Sequence, residues 1–447
     1  MRASCNKVIY IVSRIITLCL LALILVGCVS NTPSFTITPT NIPTVTNTLI
    51  FPSPAKIKAT STTQQPTFTP TPGANISFLF FANGSVQRYN LQNWSSEKIP
   101  VQSNGDILQA ALSPNQNWLA FQDKSGINIV EYPFTGQPLT VSIIQSDVFN
   151  FIFSSNSELF TFSDGEGLKI FDISKRTSFL LLPHLLNEND VSDLRKYSPD
   201  QWSPNSKWLW VNVYHWEGVS HILAHLPTKT FHKYTGCYSD IDWMNAGQAF
   251  AATVFYSGYL GCGDNDGIYL IDLDNNQIVE KRIYQETIPS QAWEREFRDI
   301  KISPSGDDIA FVQLSSPYTD LQSSRLMLIN FTNDKYKEID SSRDDIASPV
   351  WSSDGTKLFY TIQGDTESQI ISFNLSSNEK NVLNSVLNRA VLISRLPNSE
   401  WLIIGTNLNT QWDNLYLING STGELVKISS LGYDSYISPF LGLWFFE

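Results

Sequence analysis

Residues 202–211 read Trp202-Ser203-Pro204-Asn205-Ser206-Lys207-Trp208-Leu209-Trp210-Val211. The first half is turn chemistry. Proline presets φ for the first turn position, and Asn and Ser suit the tight bend that follows. The second half, Trp-Leu-Trp-Val, is a nearly continuous apolar run, as expected for a strand covered on both faces. The same unit recurs along the chain: an apolar residue, Ser-Pro or Ser-Ser, then Asn, Asp or Ser, then a strand. Leu112-Ser113-Pro114-Asn115 leads to Trp118–Phe121, and Phe153-Ser154-Ser155-Asn156 to Leu159-Phe160. Trp243-Met244-Asn245-Ala246 leads to Ala249–Ala252, Ile302-Ser303-Pro304-Ser305-Gly306 to Ile309–Val312, and Trp351-Ser352-Ser353-Asp354-Gly355 to Leu358–Thr361. Arg395-Leu396-Pro397-Asn398-Ser399 precedes Trp401–Ile404, and Ile437-Ser438-Pro439 precedes Leu443–Phe446.

Aligned on the Ser position, the units start at 113, 154, 203, 244, 303, 352, 396 and 438, in steps of 41, 49, 41, 59, 49, 44 and 42 residues. A third strand follows in most units: Ile127–Val130, Leu168–Phe171, Ile268–Ile271, Leu326–Ile329, Ile370–Phe373 and Leu415–Ile418. Polar turns such as Asp274–Gln277, Ser376–Glu379 and Ser421–Glu424 then open a fourth. A period of 40–50 residues with about four short strands per unit predicts an all-β fold, a β-propeller of four-stranded blades. Asn75–Phe81 reads as a second strand, so the segment Ser435–Phe446 is expected to supply the missing strand and close the ring. That gives eight blades, or seven if one terminal unit is irregular.

The Ser-Pro-Asn/Asp-Gly-x-x-Leu-Ala-Phe pattern resembles the WD40-like repeats of the TolB propeller, which also occur in the propellers of prolyl-oligopeptidase-type enzymes. The resemblance covers about residues 75–447. It implies the fold and is nearly silent on function. A Thr/Pro-rich stretch stands where TolB has an N-terminal α/β domain. No Gly-x-Ser-x-Gly elbow follows the repeats, so the resemblance does not extend to the hydrolase.

Ahead of the repeats, residues 29–74 hold 13 Thr, 8 Pro and 4 Ser among 46 residues, with Lys56 and Lys58 the only charges. Such a composition cannot bury enough apolar area to repay ordering. Residues 28–74 are therefore expected to be a disordered stalk, roughly 40 Å long as a coil and roughly 140 Å fully extended. Residues 1–27 carry Arg2, Lys7 and Arg14 and then an apolar stretch at 15–26, too short for a membrane span but right for a signal peptide. It ends Leu25-Val26-Gly27-Cys28, which resembles the bacterial lipobox. The resemblance implies lipidation of Cys28, membrane anchoring through its acyl chains and an extracytoplasmic location at the cell surface or in the periplasm. The chain carries a net charge of −12, which becomes −15 once residues 1–27 are removed. No basic cluster is present, which excludes phosphate-backbone recognition and hence nucleic acid as a partner.

In a four-stranded blade the 1–2 and 3–4 turns share one face, and the 2–3 loops and blade-to-blade connections share the other. Here the first set is short. The long segments, 184–200, 215–220, 256–267, 284–298, 315–324 and 407–413, all belong to the second, which predicts one binding face. Its expected residues are Tyr197, Trp216, Tyr256, Tyr259, Trp293, Glu294, Arg295, Tyr318 and Trp412. Trp118, Trp208 and Trp401 share one repeat position, and Trp202, Trp243 and Trp351 another, so these are read as core. Cys237 and Cys262 fall on the same face and, at an extracytoplasmic address, are expected to form a disulfide.

No catalytic triad, zinc signature or phosphate loop is present, and no cofactor or resident metal is expected. His221 and His225 lie four residues apart on one predicted strand, roughly 13 Å, too far for one ion. Cys262–Gly267 lacks the spacing and the terminal Glu of a calcium loop. Glu294 and Glu296, and Asp264 and Asp266, read as solvated loop charges. The expected function is that of a non-catalytic binding or scaffold module for a protein partner. The alternative is a glycan-binding or glycan-active propeller.

Overall fold

The computed structural model describes residues 76–447 apart from 144–149, 186–194, 216–217, 256–265, 274–276, 286–294, 316–322, 334, 397–398, 409–410, 435–439 and 446–447. Its strands form eight four-stranded antiparallel sheets, the eight blades of a β-propeller. Blade 1 begins at Gln109, blade 2 at Phe151, blade 3 at Lys196, blade 4 at Tyr238, blade 5 at Arg295, blade 6 at Asp345 and blade 7 at Arg389. Within each, strands one to four follow in chain order from the axis outward.

Blade 8 joins the two ends of the sequence. Phe440–Phe445 is its first strand, and Ile76–Ala82, Ser85–Asn90 and Ser95–Lys98 are its second to fourth. The closing register pairs Ile76 with Phe445, Ser77 with Trp444 and Phe78 with Leu443. The expected closure and the eight-blade count therefore hold. One detail differs: the strand after Ser438 is a first strand, whereas the strand after every other marker is a second. The eighth 1–2 connection is simply the gap between the two strands contributed by opposite ends of the sequence.

Burial follows strand position. The second strand of blade 4, Ala249–Val254, is buried at every residue, because it has a sheet neighbour on each edge and an adjoining blade on each face. The fourth strands are largely exposed and carry charge, as in Val279–Tyr284, Lys335–Ser342 and Glu379–Leu387. Lys and Glu along a free edge discourage pairing with another chain.

The repeat marker explains itself in atomic terms. Ser203 is buried, and its hydroxyl donates to Asn205 Oδ1 at 2.7 Å while accepting the Trp208 N–H at 2.9 Å. Its own N–H reaches the Trp208 carbonyl at 2.9 Å, closing the loop. The same pair of side-chain bonds is made by Ser113 with Asn115 and Trp118, by Ser154 with Asn156 and Leu159, and by Ser352 with Asp354 and Lys357. The fourth residue of the motif has a positive φ, taken up by Gln116, Ser157 and Ser206 or by Gly247, Gly306 and Gly355. Gly247 is required twice over, since a Cβ there would lie 2.9 Å from the Asn205 backbone of the preceding blade. Ser203→Ala removes the acceptor of a buried N–H and is expected to cost about 1–2 kcal/mol in urea unfolding. Ser206→Ala, one bond on a more exposed site, is expected to cost clearly less.

Candidate functional site

The two faces of the ring are built differently. On one side the six fully described 1–2 turns, those of blades 1 to 6, span five residues each. They bind one another: the Asn115 N–H donates to Ser157 Oγ, the Asn156 N–H to Ser206 Oγ, and Asn245 Nδ2 to the Pro304 carbonyl, each at 2.9 Å. On the other side the connections are longer. Pro183 to Lys196 joins blades 2 and 3, and Tyr284 to Arg295 joins blades 4 and 5. Val254 to Gly267 and Ser315 to Ser323 are the 2–3 loops of blades 4 and 5. The two longest, Pro183 to Lys196 and Val254 to Gly267, lie between blades 2 and 3 and within blade 4, while Lys98 to Gln109 and Ser142 to Phe151, which lead into blades 1 and 2, are also longer than the blade 5 loop.

The expected binding residues divide into three groups. Trp216, Tyr256, Tyr259, Trp293, Glu294 and Tyr318 lie outside the described residues, as do Cys28 and Cys262. Arg295 is the first residue of a strand, Arg295–Ile302, so it and Glu296 belong to the sheet rather than to a loop. Tyr197 and Trp412 are corrections, because both are buried. Tyr197 is 6% exposed, stacked on His184 with ring centroids 5.8 Å apart, and it packs with Leu168 and Val211 between blades 2 and 3. Trp412 is 8% exposed and lies among Phe78, Phe80 and Ile403. Gly405 makes room for it, since a Cβ there would sit 2.2 Å from the indole. Segments 215–220 and 407–413, expected as long loops, are hairpins whose strands are separated by only 216–217 and 409–410. Alternation along a strand turns these aromatics inward, and the loop reading had hidden that alternation.

Cys237 is buried and disulfide-bonded, in the connection from blade 3 to blade 4. His221 is a core residue, stacked on Trp210, with Nε2 at 2.7 Å from the Tyr238 carbonyl. Burial pushes its pKa down to about 4, so it is neutral at physiological pH. Among the described residues no group of His, Cys, Asp and Glu is arranged to hold a metal ion.

One feature was not singled out in the sequence: carboxylates on the axial strands of blades 3 to 6. Each of these first strands has a register irregularity, between Pro199 and Gln201, Tyr238 and Ile241, Arg298 and Lys301, and Ala347 and Val350. Such bulges leave backbone groups without a ladder partner. Here the preceding blade supplies one. The Asp299 N–H donates to Asp240 Oδ2 at 2.6 Å, the Ser348 N–H to Asp299 Oδ2 at 3.1 Å, and the Ile302 N–H to Asp242 Oδ2 at 2.7 Å. Arg298 bonds Asp345 and donates to the Ile346 carbonyl at 3.3 Å. Burial pushes the carboxyls of Asp242, Glu296 and Asp299 above their usual range, and Lys301 or Arg298 offsets this in part. The signal was present in the sequence: Asp240, Asp299 and Ser348 each stand four residues before the marker at 244, 303 and 352.

Asp200 has no such partner charge. Burial, reinforced by Asp240, pushes its carboxyl up to about 6. A folded pKa above the unfolded value means that the native state holds the proton more tightly. Its contribution is therefore most favourable at low pH and is lost as pH rises through about 6. Asp200→Asn is expected to raise stability at pH 8 by on the order of 1–3 kcal/mol and to change nothing at pH 4. Thermal melts of both proteins across that range check it.

The sequence matches no protein-family model, and no curated protein matches it. Solved structures of similar architecture include a eukaryotic initiation factor, at 11% identity over 81% of this chain and 98% of that one, with a TM-score of 0.48. Oligogalacturonate lyase from Vibrio parahaemolyticus is similar at 10% identity, over 77% and 96%, with a TM-score of 0.44. TolB from Acinetobacter baumannii is similar at 14%, over 70% and 78%, with a TM-score of 0.32. Each is a likeness of architecture only.

Proposed function

We propose that this chain is a lipid-anchored extracytoplasmic protein whose eight-bladed propeller is a non-catalytic binding module for a protein partner. The partner engages the face formed by the 2–3 loops and blade-to-blade connections. The observation that carries this reading is the unequal treatment of the two faces. On the short-turn face, the 1–2 turns of blades 1 to 5 hydrogen-bond to their neighbours. On the other face several connections are long, and the sequence between their strands holds Tyr256, Tyr259, Trp293, Glu294 and Tyr318, with Trp216 in the short 2–3 connection of blade 3. Aromatic residues around a rigid frame are the usual anchors of protein interfaces. Glu296 and Arg298 lie in the first half of blade 5's first strand and Asp345 opens that of blade 6, so charge stands at the end of these strands that the blade-to-blade connections enter.

Anchoring rests on the signal-like segment, the Gly27-Cys28 junction and the Thr/Pro-rich stretch that separates it from the blades. Two experiments test the two halves. Cys28→Ala should abolish incorporation of a labelled fatty acid and leave the chain unprocessed; labelling that persists would overturn the anchor. Separately, the full-length chain solubilised in detergent is used to retain envelope proteins, with Trp293→Ala/Tyr259→Ala as control. A protein held by the wild type and lost on the double variant supports the binding face. Equal retention by both refutes it.

A further inference from the structure

The short-turn face has one place where the repeat pattern leaves a space unfilled. Trp118, Trp208 and Trp401 occupy the same repeat position, the first residue of a second strand. Each has a cross-strand partner on the third strand, and a directly paired residue projects its side chain to the same side of the sheet. For Trp208 that partner is His225, whose ring lies over the indole at a centroid distance of 4.2 Å. For Trp401 the partner is Asn419, and the covering ring comes instead from the next blade: Trp94 meets it edge-on at 5.4 Å. For Trp118 the partner is Glu131, which cannot cover a ring.

The neighbouring blade does not cover it either. Trp94 is the fourth residue after its third strand and has φ 56°. The residue in that place facing Trp118 is Arg176, the fourth after Asp172, with φ 55°. Where an indole of blade 8 packs edge-on against the equally half-buried indole of blade 7, blades 1 and 2 leave a cleft of about 570 Å³. Trp118, Leu159 and Ile173 give it apolar walls, and Glu131, Asp172 and Arg176 stand at its rim. That volume is in the range of small-ligand sites. Trp118, expected as core, is only half-buried.

The polar groups define what would fit. Asp172 is already engaged: it bonds Lys175 Nζ and accepts the Lys175 N–H at 3.0 Å and the Ser174 hydroxyl at 2.7 Å. Glu158 accepts the Asn156 amide at 2.7 Å. Glu131 and Arg176 make no ion pair or side-chain hydrogen bond among the described residues. One is an acceptor with two oxygens and the other a planar fork of donors. They oppose each other in charge, so neither a cation nor an anion is favoured. An apolar flat wall flanked by one free acceptor and one free donor matches a ring with C–H bonds on its face and hydroxyls at its edge.

We propose that this cleft binds an uncharged pyranose residue of a glycan. Its C–H face lies on Trp118, and its hydroxyls donate to Glu131 and accept from Arg176. The site lies on the face opposite the proposed protein-binding face and stands or falls independently of it.

Calorimetric titration of the full-length chain tests this, with methyl glycosides of glucose, galactose, mannose and N-acetylglucosamine and with cellotriose, maltotriose and chitotriose. At least one is expected to bind. Trp118→Ala should then weaken it tenfold or more, and Glu131→Gln and Arg176→Ala three- to tenfold, the last two without change in melting temperature. Arg176→Trp should fill the cleft as Trp94 fills its counterpart, abolishing binding while leaving the melting temperature equal or higher. Three results would overturn the assignment: no binding across the panel, saccharide binding that survives Arg176→Trp, or a tri-lysine peptide binding in the saccharide's place with the same sensitivity to Trp118→Ala.

Discussion

Deleting residues 440–447 is expected to abolish cooperative folding of the propeller. The strand Phe440–Phe445 pairs with Ile76–Ala82, and no other described segment supplies a first strand to blade 8. Without it, a second strand that carries the fully buried Phe78 and Phe80 acquires a bare edge. Blades 7 and 1 also lose a neighbour. Loss of a whole strand from a closed ring exceeds anything a single side chain contributes, so a cost well above 5 kcal/mol is expected, comparable with the net stability of a domain. The truncated chain should be aggregated, or should melt broadly and far below the full-length protein. By contrast, a circular permutant that keeps residues 440–445, joins residue 445 to residue 76 through a five-residue Ser-Pro-Asn-Gly-Lys turn and opens new ends elsewhere should melt sharply, because blade 8 then gains a 1–2 turn of the length found in the other blades. A truncated chain that melts like the parent would refute the closure.

Arg298→Met is expected to be the most damaging single substitution on the axial wall. Its guanidinium bonds Asp345, donates to the Ile346 carbonyl and stands 3.8 Å from Asp299. Its own pKa is raised by these carboxylates in spite of burial. Removing it leaves Asp299, Asp345 and Glu296 facing one another with less compensation, and breaking one side of such a network costs about 3 kcal/mol. The pH dependence has a definite sign. The carboxyls of Asp299 and Glu296 already sit above their usual range, and loss of the cation raises them further. Their protonated forms are then favoured in the folded state, so the deficit should be largest near pH 8 and shrink toward pH 5. Arg298→Met/Asp345→Asn should recover part of the loss. A deficit under about 0.5 kcal/mol, or one independent of pH, would contradict this role.

How much of this could be read from the chain is clear from particular residues. The Ser-Pro-Asn turns are legible because in five blades one hydroxyl accepts the N–H that opens the second strand, which makes Ser recur at Ser113, Ser154, Ser203, Ser303 and Ser352. The third strands were legible as well, since two-sided burial demands apolar runs. Tyr197 and Trp412 were misread because a strand that extends beyond its apolar centre into polar sequence looks like a loop. Only the register, which pairs Trp412 with Asn407 and lays its indole against Gly405, reveals that the sheet continues there. The axial carboxylates have a sequence signal, a fixed place four residues before the marker at Asp240 and Asp299, but their role is not legible from it, because their partners are backbone N–H groups freed by bulges in the next blade. The open face of Trp118 was equally hidden. It depends on Glu131 and Arg176 standing where His225 and Trp94 stand elsewhere, a comparison that requires strand register.

The central claim is that a partner is engaged from one face of the ring. Site-specific photo-crosslinking of the full-length chain in its own cells tests it directly. A photoreactive residue would replace Trp293 or Tyr318 on the long-connection face, and Lys207 or Ser377 on the short-turn face. The account predicts a discrete protein adduct from positions 293 and 318 and none from 207 and 377. Adducts from the short-turn positions alone, or equally from both faces, would contradict it.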